Sequence, residues 1–300
     1  MEKRFFARGK LMLSGEYAVL NGASALSLPC KFGQHLQVSS DISKDEIHWE
    51  SFDELKKSWF KVRFDLGLKI LESSSQKMAE NLQNILSTAF ELSPQTPKPS
   101  EIKTYLDFNR NWGLGSSSTL IHLISQWLQI DAMELFFKVA NGSGYDVAAA
   151  GSSKPIIYQV IKSKANWREI DLPIEAFKNC FFIHLNQKQK SDLEVAKFKV
   201  NNSITSSQIN RIRDLTEGLL VLKNESDLQD WIRDHEILMT KILNQNRIQD
   251  QYFPDFEGQI KSLGAWGGDF IMASGNNIKS YFQSKGFNCI LPFKEMIVLN

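Results

Sequence analysis

Residues 111–125, Asn-Trp-Gly-Leu-Gly-Ser-Ser-Ser-Thr-Leu-Ile-His-Leu-Ile-Ser, run a glycine-serine loop straight into an apolar helical pattern. Gly113 and Gly115, on either side of Leu114, let the backbone take left-handed angles and come close to a ligand. Ser116, Ser117 and Ser118 bring hydroxyls to the free N–H groups of a helix start. Successive N–H groups at the positive end of a helix favour an anion, and the phosphate chain of a nucleotide is a natural guest. Taken alone, the same stretch also reads as an ordinary cap on a buried helix. It is not a Walker A loop, because no Gly-Lys-Ser/Thr follows at the required spacing. A dinucleotide loop needs a third glycine where Ser118 stands and an acidic residue ending a second strand. Glu134 has about the right spacing, but it lies in Asp-Ala-Met-Glu-Leu-Phe-Phe, a helix start with Asp131 as cap and Glu134 three residues on.

Two further groups of polar residues stand out against apolar surroundings. Lys10, Ser14 and Glu16 interrupt the run Ala7–Gly22. A buried charge is costly without a partner, so an ion pair between Lys10 and Glu16 is one reading of them. Asp146 follows the glycine loop Gly142-Ser143-Gly144-Tyr145 and precedes Val147 and three alanines. Small residues allow that helix to pack closely and hold the carboxylate rigidly; a plain helix-capping aspartate is the alternative. A last glycine loop contains Gly264, Gly267 and Gly268. In the stretch Gln187–Ser191, Lys188 and Lys190 stand between an apolar run and a helical pattern, either as a solvated turn or as a place to meet a substrate phosphate.

The elements that must carry these residues are read from hydrophobic period. Ile102, Thr104, Leu106 and Phe108 alternate with polar residues, a strand leading into the first glycine loop. Residues 3–38 read as strands joined by a glycine-containing connection, and 34–39, 46–50 and 59–64 as further strands. A helix is expected over 66–90, others from near Ser117 and after Asp131, and mainly helix over 203–246. Strands are expected at 155–161, 180–185, after residue 268 and at 289–292, with a short helix over 278–285. A boundary near 163–179 divides an expected domain 1–170 from a second, 171–300, and the whole reads as α+β.

Composition narrows the classes. The chain has 300 residues, 42% of them hydrophobic, with 35 basic against 34 acidic residues. Such a balance gives no nucleic-acid footprint, so any anion binding must come from local groups. Cys30, Cys180 and Cys289 are far apart and lack Cys-x-x-Cys spacing, which argues against a disulfide framework or structural zinc and for a reducing cytoplasm. No signal-peptide core and no apolar run long enough for a membrane span is read.

Lys10–Gly22, Gly113–Thr119 and Gly142–Ala150, with Gly264–Phe270 as a fourth, together resemble in order and spacing the motifs of the GHMP kinases, the small-molecule kinases named for galactokinase, homoserine, mevalonate and phosphomevalonate kinases. The resemblance spans nearly the whole chain. It implies a domain of the ribosomal protein S5 domain 2-like type followed by a ferredoxin-like domain, with ATP and substrate between them. It further implies that Gly113, Leu114, Gly115, Ser116, Ser117 and Ser118 wrap the ATP phosphates, with Gly264, Gly267 and Gly268 approaching them. Ser117 and Glu134 are implied as Mg2+ ligands, Asp146 as the residue facing the acceptor hydroxyl, and Lys10 as a neutraliser of developing charge. Glu16, Tyr17, Ser143, Lys188 and Lys190 are the implied substrate residues. Gly-Ser-Gly-Tyr-Asp-Val-Ala-Ala-Ala and Gly-Ala-Trp-Gly-Gly-Asp look more like phosphomevalonate kinase than mevalonate kinase. Mevalonate kinase or a GHMP sugar kinase is the alternative, and a non-catalytic metabolite sensor on the same fold is the rival of another class. Asn111-Trp112 stands where many members have proline and a small residue, Trp266 where glycine is usual, and Tyr17 where mevalonate kinases commonly have histidine. The expected ligands are ATP, Mg2+ and a small hydroxylated metabolite, with or without a phosphate of its own, with no nucleic acid or membrane, in a cytoplasmic monomer or homodimer.

Overall fold

Strand β1 (Glu2–Ser14) and strand β2 (Ala25–Ser39) pair with each other and each passes through both of two compact units into which the chain divides. The structure is a computed structural model that describes residues 2–40, 45–162, 164–186, 204–264, 266 and 269–299. The first unit holds Met1–Gly9, Phe32–Arg110 and Leu114–Gly151; the second holds Lys10–Lys31, Asn111–Gly113 and Ser152–Asn300.

In the first unit β3 (Glu46–Phe52), β4 (Ser58–Asp65), β5 (Ile70–Ser73) and β6 (Ser100–Leu106) form a sheet with β2 in the order β5-β4-β3-β6-β2. β6 runs antiparallel to β2, with Gln34 opposite Leu106, and parallel to β3, with Ile47 opposite Ser100. The period-2 pattern does what the sequence predicts: Ser100, Ile102, Thr104 and Leu106 are buried and the residues between them are not. Helix α1 (Gln76–Leu92) buries Ala79, Leu82, Leu86 and Ala89. The helix expected over 66–90 is corrected at its start. Leu68 takes φ 63° in a turn closed on Asp65, and Ile70–Ser73 then return as β5, leaving Leu71 46% exposed. Helices α2 (Ser116–Leu128), α3 (Ala132–Val139) and α4 (Tyr145–Ala150) complete the unit.

The second unit pairs the start of β2 with β7 (Ile156–Ile161), and β7 with β8 (Lys164–Glu169). Its other sheet is antiparallel, in the order β10-β11-β9-β12, from β9 (Cys180–His184), β10 (Gly258–Ser262), β11 (Phe270–Gly275) and β12 (Ile290–Pro292). Helices α5 (Ser206–Gly218), α6 (Glu225–Leu243), α7 (Ile248–Tyr252), α8 (Ile278–Ser284) and α9 (Phe293–Met296) accompany it. Leu228, Trp231, Ile232, Met239, Ile242 and Leu243 give α6 its buried stripe. Ile183, Ile260, Ile271 and Ala273 pack with Ile278 and Phe282 as one core cluster. The α+β reading holds. β8 and β10 were not legible in the sequence.

Candidate functional site

In the first unit α2 begins at Gly115, which takes φ 86°, ψ 46°. Among the described residues no side-chain cap hydrogen bond is made at this N-cap. The expected use of the serine hydroxyls is therefore corrected. Ser118 Oγ turns back and donates to the Gly115 carbonyl at 2.8 Å, and Thr119 Oγ1 donates to Gln34 Oε1 at 2.6 Å. A helix start without a side-chain cap keeps its first N–H groups available to an outside acceptor, and the macrodipole favours a negative one. Ser117 is exposed and Ser116 half-buried at that end, while Leu114 is fully buried and pins the loop. A Cβ on Gly9 would stand 3.1 Å from the Leu114 Cβ, so glycine in β1 makes room for the buried leucine.

Asp146 occupies the first turn of α4, whose Val147, Ala148, Ala149 and Ala150 are all buried. One Asp146 oxygen, Oδ1, accepts from the Val147 N–H at 3.1 Å. The close packing expected from the small residues is present. At Gly151, a Cβ would lie 2.3 Å from Cε1 of His122 on α2, a ring whose burial lowers its pKa. Ser143 is buried just before α4. Gly144 takes φ 82° where a Cβ would strike the Met133 methyl of α3 at 2.4 Å. Glu134 is exposed on α3, and its N–H donates to Asp131 Oδ1 at 2.7 Å, the cap the sequence predicts. Just before the glycine loop, Arg110 lies 3.6 Å over the Trp59 ring, while Asn109 donates to Glu54 at 2.7 Å.

The second unit contains Lys10, Glu16, Tyr17, Gly113 and Gly264. Lys10 is half-buried on β1. Gly113 takes φ 66°, and a Cβ there would lie 2.1 Å from Asp269 Oδ2. A side chain there would make the Asp269 carboxylate turn away, and the positive φ also favours glycine. Trp112 meets Phe270 edge-on at 5.6 Å and lies 6.3 Å from His184, whose Nε2 is 3.3 Å from the Asn111 carbonyl. Tyr17, at φ 58°, packs with Ile212, Met239, Ile242 and Trp266 in one buried cluster. Trp266 is thus a core partner of Tyr17. Gly264 takes φ 60° in open space. Gly267, Gly268, Lys188 and Lys190 lie outside the described residues.

Glu16 does not pair with Lys10 as one reading of the sequence had it. Its Oε1 accepts from Lys261 Nζ at 2.6 Å, and Lys261 also reaches Glu236 Oε1 at 3.1 Å. Ser262 Oγ donates to Glu236 Oε2 at 2.8 Å, and His235 Nε2 lies 3.4 Å from Glu16 Oε2. Burial pushes the Glu16 carboxyl up to about 6 against the pull of Lys261, and raises that of Glu236. Burial would lower Lys261, but the two carboxylates outweigh it and raise it. Burial and the nearby ammonium hold His235 well below its usual value. The sequence did carry a signal for this cluster: His235 and Glu236 fall on the apolar stripe of α6, and Lys261 follows Ile260 in a buried strand.

Among the described residues no group of three His, Cys, Asp or Glu side chains could hold a metal ion. The exposed hydroxyl of Ser117 and the exposed carboxylate of Glu134 are hard oxygen donors. No described helix is long and apolar enough to cross a membrane.

With this architecture in view, the class can be stated: the fold is that of the GHMP kinases. The chain superposes on Methanococcus jannaschii mevalonate kinase with a TM-score of 0.70, at 20% identity, over 95% of this chain and 94% of that one. It matches Streptococcus pneumoniae phosphomevalonate kinase in complex with phosphomevalonate and AMPPNP with a TM-score of 0.69, at 18% identity, over 95% of each chain. Lactococcus lactis galactokinase complexed with galactose gives 0.67 at 13% identity, over 94% of this chain and 88% of that one. No family model and no curated protein matches the sequence.

Proposed function

We propose that this chain is an ATP-dependent small-molecule kinase that transfers the γ-phosphoryl group of ATP to a hydroxyl of a mevalonate-pathway metabolite, with mevalonate 5-phosphate as the acceptor. The observation that carries the reading is the start of α2. A helix of 13 residues opens on a left-handed glycine with no side-chain cap, and α4, which bears Asp146, packs against it. An anion cradle beside a rigidly held carboxylate is what phosphoryl transfer to a hydroxyl requires, because the reaction is governed by positioning and charge neutralisation.

In this reading the N–H groups at the start of α2 hold the nucleotide phosphates. Asp146 accepts the proton of the acceptor hydroxyl as that oxygen bonds to the γ-phosphorus and the bond to the ADP oxygen breaks. Lys10 neutralises charge on the transferring group. Ser117 and Glu134 are assigned to hold Mg2+, which when bound screens the phosphate charges. Ser143, Lys188 and Lys190 are assigned to the acceptor, the two lysines to its phosphate. Glu16 and Tyr17, both buried, are likewise assigned to the acceptor.

Likeness to both mevalonate and phosphomevalonate kinase structures supports the substrate class, and the forms of the second and third glycine loops favour the phosphorylated acceptor. The test is ADP release from ATP and Mg2+ with mevalonate, mevalonate 5-phosphate, galactose and homoserine offered separately. ADP release that depends on mevalonate 5-phosphate is expected. Nucleotide binding without turnover of any acceptor would favour a metabolite sensor instead.

A further inference from the structure

Glu16, His235, Glu236 and Lys261 meet inside the second unit, and none is more than 1% exposed. They come from three separate pieces of chain: the turn after β1, helix α6 and strand β10. The donors are unequally shared among them. Lys261 Nζ contacts Glu16 Oε1 at 2.6 Å, the Ser262 carbonyl at 2.5 Å and Glu236 Oε1 at 3.1 Å. Glu236 Oε2 accepts from the Ser262 hydroxyl, while its Oε1 faces the ammonium at 3.1 Å without a hydrogen bond among the described residues. Glu16 Oε2 has no hydrogen-bond partner among the described residues, and neither does either ring nitrogen of His235, although Glu16 Oε2 and His235 Nε2 are 3.4 Å apart.

The charge count does not close either. One ammonium and two carboxylates leave a net negative charge in a site sealed from water, a costly arrangement. The imidazole does not correct it, because a second cation there would stand against Lys261, and burial also disfavours it. Outside the cluster, Arg247 at the start of α7 feels Glu236 but is itself paired with Asp250 at 2.7 Å. Glu236 adds a hydrogen bond from the Ser262 hydroxyl at Oε2 to the ammonium that faces its Oε1. What sets Glu16 Oε2 apart is its place 3.4 Å from His235 Nε2, an acceptor for a proton on that oxygen.

We propose that this cluster is a buried proton-binding site: on acidification Glu16 Oε2 takes one proton from solvent and donates it toward His235 Nε2, and the neutral cluster fastens the turn after β1 to α6 and β10. The bond made is O–H on Glu16, and the imidazole stays neutral with its own proton on Nδ1. The sign follows from the folded carboxyl being raised from 4.5 to about 6. The folded chain then holds this proton more tightly than the unfolded chain does. The added stability is fully present below 4.5 and is lost as pH rises through about 6. Well below 4.5, the difference between those two values corresponds to about 30-fold in the unfolding equilibrium.

The test compares denaturant unfolding of the full chain with that of Glu16→Gln between pH 4.5 and pH 8, together with infrared spectra and histidine nitrogen NMR. Relative to Glu16→Gln, the wild-type chain should lose about 15-fold in folding equilibrium across that range, about half the full effect because at pH 4.5 half of the unfolded chains also carry the proton. A carboxylic-acid carbonyl band should appear in the wild type on acidification, vanish in Glu16→Gln and survive in Glu236→Gln. His235 should keep the nitrogen shifts of a neutral ring throughout. If Glu16→Gln fails to fold, the wild-type spectra decide alone, since an acid band beside a neutral His235 supports the site. An imidazolium at His235, an acid band lost in Glu236→Gln but kept in Glu16→Gln, or a stability difference independent of pH would overturn it.

Discussion

Asp146 and Gly115 test the site at the scale of single residues. The Asp146 carboxylate sits in the first turn of α4, where a negative charge is favoured by the helix dipole and where Oδ1 already accepts from Val147. Asp146→Asn keeps the shape and removes the proposed base, so kcat should fall by at least about 10²-fold while nucleotide affinity and melting temperature stay close to wild type. A folded variant with wild-type turnover would remove this residue from the mechanism. Gly115→Val acts on the cradle. At φ 86° any side chain strains the backbone by roughly 1–2 kcal/mol, which a domain survives, while the added bulk fills the space of a phosphate. Calorimetric titration of nucleotide into the folded variant should show binding lost, and unchanged affinity would reduce the loop to a helix cap. The same scale shows how a sequence is under-read. The helix start was legible because glycine and serine before an apolar period mark one, whether as a cap or as a cradle. The direction of the Ser118 hydroxyl was not, because it depends on whether the free N–H groups or the Gly115 carbonyl wins it.

Strands and helices were legible where one face is wet and the other dry. β6 alternates over its whole length and was read to within two residues, as was the start of α2. β10 failed that test because Lys261, fully buried, interrupts the apolar period of Gly-Gln-Ile-Lys-Ser, and β8 failed because all but one of its residues are exposed. The partners that make a buried lysine tolerable lie far away in sequence, at Glu16 and Glu236. Because β10 depends on those partners, Lys261→Met should cost about 3–5 kcal/mol of unfolding free energy, the usual result of leaving buried carboxylates without their counter-ion. Chemical denaturation at neutral pH measures it. A loss under about 1 kcal/mol, as for a surface pair, would mean the cluster is hydrated rather than sealed.

For the molecule as a whole, fold and substrate are set by different residues. Mevalonate kinase and phosphomevalonate kinase structures fit the chain almost equally, with TM-scores of 0.70 and 0.69. The backbone therefore does not choose between a free and a phosphorylated acceptor, and the choice falls to side chains that can neutralise a phosphate. The stretch with Lys188 and Lys190 follows β9 and holds two ammonium groups within three residues. Charge-assisted hydrogen bonds to a phosphate contribute more than neutral ones, so the pair would favour the phosphorylated acceptor. Mevalonate 5-phosphate should accordingly show a higher kcat/KM than mevalonate. Replacing Lys188 and Lys190 together by alanine should raise KM for the phosphorylated acceptor by about 10-fold or more, the effect of roughly 1.5–3 kcal/mol per lost charged hydrogen bond, and leave KM for ATP nearly unchanged. A loss of affinity for both substrates would place the lysines elsewhere in the site. Turnover of mevalonate with the higher kcat/KM would sink the phosphorylated-acceptor assignment and put mevalonate kinase in its place, with the roles of Asp146 and the α2 cradle intact.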